Sequence, residues 1–147
     1  MQRIAKAQVF GDWELRKPLG QGGNGFVWLA VNSKSEQAAI KILAKLRGRK
    51  KAKVYSRFRD EVNIVRANAD IQGVLPIIDS FLPEEINGQL PWYVMPAALP
   101  LGQYLKNKNF EISIEAVLEI SKTLVKLHAR GISHRDIKPA NLLEVVS

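Results

Sequence analysis

His134-Arg-Asp-Ile-Lys-Pro-Ala-Asn141, "HRDIKPAN", gathers an imidazole, a guanidinium, a carboxylate, an ammonium and a carboxamide into eight consecutive positions. A stretch this polar cannot sit in an apolar core without partners for every group. Why a chain gathers so many polar groups there is a question that the rest of the sequence must answer.

Working back toward the N-terminus, Val117, Ile120, Leu124, Leu127 and His128 mark a helix that leads into this segment. Ser113 is its expected N-cap and Gly131 its expected stop. His128, on the apolar stripe, is read as a packed core histidine rather than a catalyst. Before the helix comes "PAALPLG" at 96–102, too rich in Pro and Gly for either regular element, and it reads as a linker between two subdomains. Upstream again, "VLPIIDSFL" at 74–82 and "LPWYVM" at 90–95 read as strands, with Asn87–Gly88 between them as a hairpin signal.

Val54, Phe58, Val62 and Val65 fall at i, i+4, i+8 and i+11, a helical stripe. Before it the period is that of strands: "WELRKPL" at 13–19, "FVWLAV" at 26–31 and "AAIKIL" at 38–43. Strand alternation puts Ala39 and Lys41 on one face and Ile40 and Ile42 on the other. An exposed strand lysine is one reading of Lys41. Glu61 favours another, because it lies on the apolar stripe of the helix and needs a cation there. Lys41 and Glu61 are expected to pair.

"LGQGGNGFV" at 19–27 contains Gly20, Gly22 and Gly25 in the pattern G-x-G-x-x-G. Alone this is a weak signal, and a plain β-turn would produce it. A dinucleotide fold needs a helix after such a loop, but a strand-like run follows here. A P-loop needs Gly-Lys-Ser/Thr, which is absent. The loop is expected to join two antiparallel strands, where backbone amides without Cβ atoms can approach phosphate oxygens.

Composition narrows the setting. The chain has 147 residues, 46% of them apolar, which suits a globular protein. It has no cysteine, which fits a reducing compartment, and cytoplasmic residence is the expectation. No apolar stretch is long enough to span a bilayer, and the N-terminus lacks the apolar core of a secretory signal. The formal net charge is +8. Residues 45–59, "KLRGRKKAKVYSRFR", hold eight Lys or Arg and no acid, so the rest of the chain, with 14 of each sign, sums to zero. That run reads as a solvated loop entering a helix, with a docking patch for an acidic partner or nucleic acid as the alternative.

In order, the G-x-G-x-x-G-x-V loop at Gly20–Val27, Lys41 in "AAIK", Glu61 on a helix, and "HRDIKPAN" resemble the signatures of the protein kinase family. Lys138, two positions after Asp136, is similar to the serine/threonine type. The resemblance runs from near Phe10 to the last residue and implies an α+β fold: an antiparallel β-sheet N-lobe with one regulatory helix, then the start of a helical C-lobe. It divides the chain into an N-terminal extension at 1–9, an N-lobe at 10–95, a hinge at 96–100 and part of a C-lobe at 101–147.

The resemblance also implies roles. Leu19, Gly20, Gln21, Gly22, Gly23, Asn24 and Gly25 would line ATP, with the glycines over its phosphates. Val27 and Ala39 would cover the adenine, and Leu143 would form the pocket floor. Lys41 would bind the α- and β-phosphates, oriented by Glu61. Met95 falls at the gatekeeper position. Adenine would bond to the Pro96 carbonyl and the Ala98 amide; many members carry an acidic residue where this chain has Pro96. Asp136 would take the substrate hydroxyl's proton, Lys138 would steady the moving phosphoryl group, and Asn141 would hold Mg2+. His134 and Arg135 would shape the loop.

The family's Asp-Phe-Gly motif, activation segment and large C-lobe helices have no counterpart in these residues, so the resemblance covers roughly the first half of a kinase domain. Three readings follow. The first is a serine/threonine kinase that moves the ATP γ-phosphate to a protein hydroxyl in the intact protein, with the 147-residue chain inactive alone. The second is a half-kinase acting as a nucleotide-binding or regulatory module. The third is a nucleic-acid binder through residues 45–59, which leaves "HRDIKPAN" unexplained. The apolar face of the last helix is expected to be exposed and to favour self-association. ATP, Mg2+ and a protein with a Ser/Thr acceptor are the implied cofactors and partners, with no membrane.

Overall fold

Lys41 pairs across one ladder with Val27 and across the next with Tyr93 in the computed structural model, which describes residues 3–22, 25–44, 46, 48–100, 106, 108–132 and 143–145. The chain forms two compact units, residues 1–66 with 76–97 and residues 67–75 with 98–147.

The first unit is built on an antiparallel sheet, six-stranded among the described residues, in the order β1-β2-β3-β4-β6-β5. Its strands are β1 (Val9–Phe10), β2 (Trp13–Gly22), β3 (Gly25–Val31), β4 (Gln37–Leu43), β5 (Asp79–Phe81) and β6 (Trp92–Met95). Between β4 and β5 in sequence lies helix α1 (Lys51–Ala67), entered through one turn of 3-10 helix at Gly48–Lys50. The expected strands at 13–19, 26–31 and 38–43 and the helix through Val54–Val65 are all present.

Strand alternation gives the sheet two faces, and both are covered. Leu15, Ala30, Ala38, Ile40, Ile42, Trp92 and Val94 form one core with Phe10 and Trp13. The Trp13 indole N–H would be stranded in such a core, and it donates to Asp79 Oδ2 at 3.0 Å. Leu43 and Tyr93 lie on the opposite face, where α1 packs Tyr55, Phe58 and Val62 against them. Burying each of these side chains contributes on the order of 1.5–3 kcal/mol. Packing must hold α1, because its first turn carries Lys51 and Lys53 and no acid, against the helix dipole. Arg49, Lys50, Lys51, Lys53, Arg57 and Arg59 are exposed, as a solvated run requires; Lys45 and Arg47 lie outside the described residues.

β2 is irregular. Its register against β3 shifts between Leu15 and Lys17 and again between Pro18 and Gly20. Pro18 has no N–H for the ladder, and bulges relieve such positions while twisting the strand.

Three sequence expectations need correction in this region. Residues 74–78 are not strand; Asp79–Phe81 pair with β6, the Ile78 N–H donates to the Val94 carbonyl at their edge, and Pro76 lacks a donor just before. Asn87–Gly88 is not a tight hairpin. Gly88 does take a left-handed φ of 82°, but Phe81 faces Trp92, so the connection runs through residues 82–91. Pro83 and Pro91 prevent the ladder from closing down on the turn. "PAALPLG" is not wholly irregular, since β7 (Ala98–Pro100) pairs antiparallel with β8 (Leu143–Val145).

The second unit contains that two-stranded ladder and helix α2 (Phe110–Ala129). The helix begins earlier than expected. Asn109 is the N-cap, with extended backbone and its Oδ1 accepting from the Ile112 N–H at 3.0 Å. Ser113 sits inside the first turn, and its hydroxyl bonds the Asn109 carbonyl. An Asn can cap as well as a Ser, and the polar run "KNKNF" hides which one does. Gly131 terminates the helix as expected, at φ 76°, with its N–H donating to the His128 carbonyl. His128 itself is exposed, so the core-histidine reading is wrong. It lies beside the half-buried Leu124 and Leu127 stripe rather than on it.

Residues 67–75 pack on α2 within this unit. Arg130 grips Asp70 with both guanidinium nitrogens, Nη1 to Oδ1 at 2.9 Å and Nη2 to Oδ2 at 2.6 Å, and reaches Asn68 Oδ1 at 3.0 Å. The Thr123 hydroxyl donates to the Gln72 carbonyl at 2.9 Å. The other side of α2 exposes Phe110, Ile114, Val117, Leu118 and Val125; an exposed apolar face is present, but it is not the expected stripe, since Ile120, Leu124 and Leu127 are half-buried. Among the described residues, no helix is long and apolar enough to cross a membrane.

Candidate functional site

The odd-numbered face of β4 carries Ala39, Lys41 and Leu43, and Lys41 meets the helix there. Its Nζ lies 3.3 Å from Glu61 Oε1. Two sequence features produce this pairing. The strand period turns Lys41 away from the Ile40 and Ile42 core, and the α1 stripe that buries Phe58 and Val62 carries Glu61 to the same face. The side chains are 24% and 45% exposed, so as a stabilising ion pair the contact contributes about 1 kcal/mol or less. Its value is orientation, because it fixes where an ammonium group stands.

Tyr93 completes this group, and sequence reasoning missed it. Its hydroxyl donates to the same Glu61 Oε1 at 2.8 Å. The Lys41 ammonium lies 5.8 Å from the centre of the Tyr93 ring, within reach of a cation–π attraction. The ring packs on Phe58, with centroids 5.2 Å apart. Burial foremost, then the Glu61 charge and the hydrogen bond to it, push the Tyr93 hydroxyl well above its ordinary value of 10.0. The signal was available: alternation places Tyr93 on the Met95 face, and a tyrosine hydroxyl inside a sheet needs a partner.

The glycine-rich segment joins antiparallel β2 and β3, as expected, with Gly20 opposite Val27, Gln21 opposite Phe26 and Gly22 opposite Gly25. Its glycines are not equivalent. A Cβ on Gly20 would meet nothing within 4 Å, whereas one on Gly25 would come within 2.7 Å of the Ile42 carbonyl oxygen. Gly25 is thus required by close strand approach, whatever it does for a ligand. Gly23 and Asn24 lie outside the described residues.

Val27 and Ala39 share the Lys41 face, and Met95 is paired with Ala39. Ala39 is buried and Val27 and Met95 are half-buried, giving an apolar surface beside the ammonium. Leu19 and Gln21 are exposed on β2, and Pro96 follows β6 half-buried. Ala98 and Leu143 belong to the β7–β8 ladder of the second unit. His134, Arg135, Asp136, Lys138 and Asn141 lie outside the described residues. The first unit thus brings together Val27, Ala39, Lys41, Glu61 and Met95, and adds Tyr93.

Comparison with known proteins places the chain among sequence and structural relatives. A family model described as the protein kinase domain matches residues 13–146. The chain is 31% identical, over 89% of its length, to a Clostridium perfringens protein named "Probable serine/threonine-protein kinase", of which it covers 19%. It is 31% identical, over 88% of its length, to mitogen-activated protein kinase 12 of Rattus norvegicus, of which it covers 38%. It therefore spans 19% and 38% of the lengths of these two relatives. Among solved structures, the crystal structure of a kinase domain superposes with a TM-score of 0.75 at 18% identity, covering 97% of this chain and 42% of that one.

Proposed function

The chain belongs to the protein kinase family, and from that premise we propose that it serves ATP-dependent transfer of a phosphoryl group to a serine or threonine hydroxyl of a protein. The observation that carries this reading is the Lys41–Glu61 contact at 3.3 Å on a face that also presents Val27 and Ala39. An oriented ammonium beside an apolar surface suits a ligand with a flat apolar base and anionic phosphates. Lys41 would take the α- and β-phosphates, Val27 and Ala39 the adenine, and the amides of the β2–β3 turn the outer phosphates. The Pro96 carbonyl and the Ala98 amide would bond the adenine edge.

In the transfer itself, the acceptor oxygen attacks the γ-phosphorus while the bond to the β–γ bridging oxygen breaks. Asp136 would accept the hydroxyl proton and hold that oxygen in line, and Lys138 would compensate charge on the moving group. The fit to Mg2+ rests on donor chemistry. Among the described residues no group of three or more His, Cys, Asp or Glu side chains is placed to hold a metal. Mg2+ is an ion carried largely by nucleotide phosphates with few protein ligands. The Asn141 amide oxygen would be one of them. When bound, the ion neutralises phosphate charge.

The test is ATP binding by the intact protein and its Lys41→Met variant. The variant should bind ATP at least about tenfold more weakly, the scale of one charge-assisted contact, and bind adenosine unchanged. Equal ATP affinity in the two proteins would remove Lys41 from the phosphate site.

A further inference from the structure

Glu61 receives two donors on one oxygen, and the shorter contact does not come from the lysine. Tyr93 OH stands 2.8 Å from Oε1 and Lys41 Nζ stands 3.3 Å from it. The two donors differ in how firmly they are held. Tyr93 is 5% exposed, its ring is packed on Phe58, and its strand neighbours Trp92 and Val94 are locked into the opposite core. A phenol hydroxyl on such a ring has little freedom to leave. Lys41 reaches Glu61 at the end of a flexible four-carbon stem. Glu61, on a helix and with a side chain 45% exposed, would lose rotamer freedom for a surface ion pair alone.

We propose that Tyr93 is a positioning residue that fixes Glu61, and through it the Lys41 ammonium, so that the anchor consists of three side chains rather than two. The proposal rests on the phosphate-anchoring reading of Lys41. Tyr93 joins the anchor to the core. Its ring takes part in the cluster through which α1 packs on the sheet, with Phe58, Val62 and Leu43, while its hydroxyl sets the carboxylate. Helix docking and carboxylate placement therefore depend on the same side chain. Glu61 thus keeps a core-anchored donor while it orients the Lys41 ammonium, because the Tyr93 ring is packed on Phe58.

The experiment is a double-mutant cycle on the intact protein, read as ATP and adenosine affinity. Tyr93→Phe keeps the ring and removes one hydrogen bond to a charged group. It should weaken ATP binding about tenfold and leave adenosine binding unchanged. In a Glu61→Ala background it should have no further effect, since its target is gone. Tyr93→Phe that lowers affinity equally in both backgrounds, or for both ligands, would overturn the proposal by showing a packing role. A harmless Tyr93→Phe beside a damaging Lys41→Met overturns the proposal alone, whereas a harmless Lys41→Met overturns the phosphate reading with it. Amide exchange across α1 gives a second measure that leaves Tyr93 intact. Glu61→Gln keeps an oxygen for the Tyr93 hydroxyl and should protect α1 better than Glu61→Leu; equal protection counts against the proposal.

Discussion

Gly25 lies so close to Ile42 that a Cβ built on it would stand 2.7 Å from the Ile42 carbonyl oxygen. The third glycine of a G-x-G-x-x-G segment is thus fixed here by its neighbour strand. Gly20, in the same segment, faces open space. Gly25→Ala should destabilise the protein by roughly 1–3 kcal/mol, the usual cost of overpacking. Gly20→Ala should change stability by less than about 0.5 kcal/mol. Urea unfolding of both variants checks the contrast, and equal effects would mean that β3 and β4 can separate without cost.

Gly73 meets Thr123 in a similar way within the second unit. It has a φ of 99°, and a Cβ there would collide with Thr123 Oγ1. Gly73→Ala should therefore destabilise by about 1–3 kcal/mol through both strain and collision. Adding Thr123→Ala should relieve the collision and leave the backbone strain, so the double variant should recover part of the loss. A double variant no more stable than Gly73→Ala would show that the hydroxyl is not the obstacle.

The Arg130–Asp70 pair predicts an acid dependence. Hydrogen bonding by the Arg130 side chain, against a smaller opposing desolvation and with help from the Arg130 charge, holds the Asp70 carboxyl below its ordinary 3.8. A carboxyl lowered in the folded state stabilises it fully above the unfolded value. That contribution is lost as pH falls from 3.8 through the folded value. Stability measured against pH should therefore fall less steeply below pH 3.8 in Arg130→Leu than in the unaltered protein. Identical slopes would show that the pair is equally formed in the unfolded chain.

Much of this structure is legible in local sequence pattern, and the exceptions share a cause. The strands around Trp13, Val27 and Lys41 and helix α1 announce themselves by period, because each has one face or stripe that must be buried. The Lys41–Glu61 contact follows from two periods that point a cation and a carboxylate at the same place. Tyr93 escaped notice because it reads as one more apolar residue of "PWYVM", and its hydroxyl acquires meaning only once Glu61 is seen opposite. The β7–β8 ladder is set by a partner more than forty positions away in sequence, which no local window contains. His128 was misjudged for the opposite reason: a stripe drawn one position too wide took in an exposed side chain. Asn109 displaced Ser113 because both can cap, and only backbone geometry chooses between them.

The central claim is that this chain belongs to a machine that moves the ATP γ-phosphate onto a protein hydroxyl, with Asp136 accepting the proton. The most direct measurement is phosphoryl transfer from γ-labelled ATP to a serine- and threonine-containing acceptor protein by the intact protein and its Asp136→Asn variant, with ATP affinity measured in parallel. The account predicts transfer by the unaltered protein, a loss of about a hundredfold or more in the variant, and ATP affinity within about twofold, since the lost group acts on the acceptor and not on the nucleotide. Undiminished transfer by Asp136→Asn, or loss of ATP binding with turnover of the bound nucleotide retained, would contradict it.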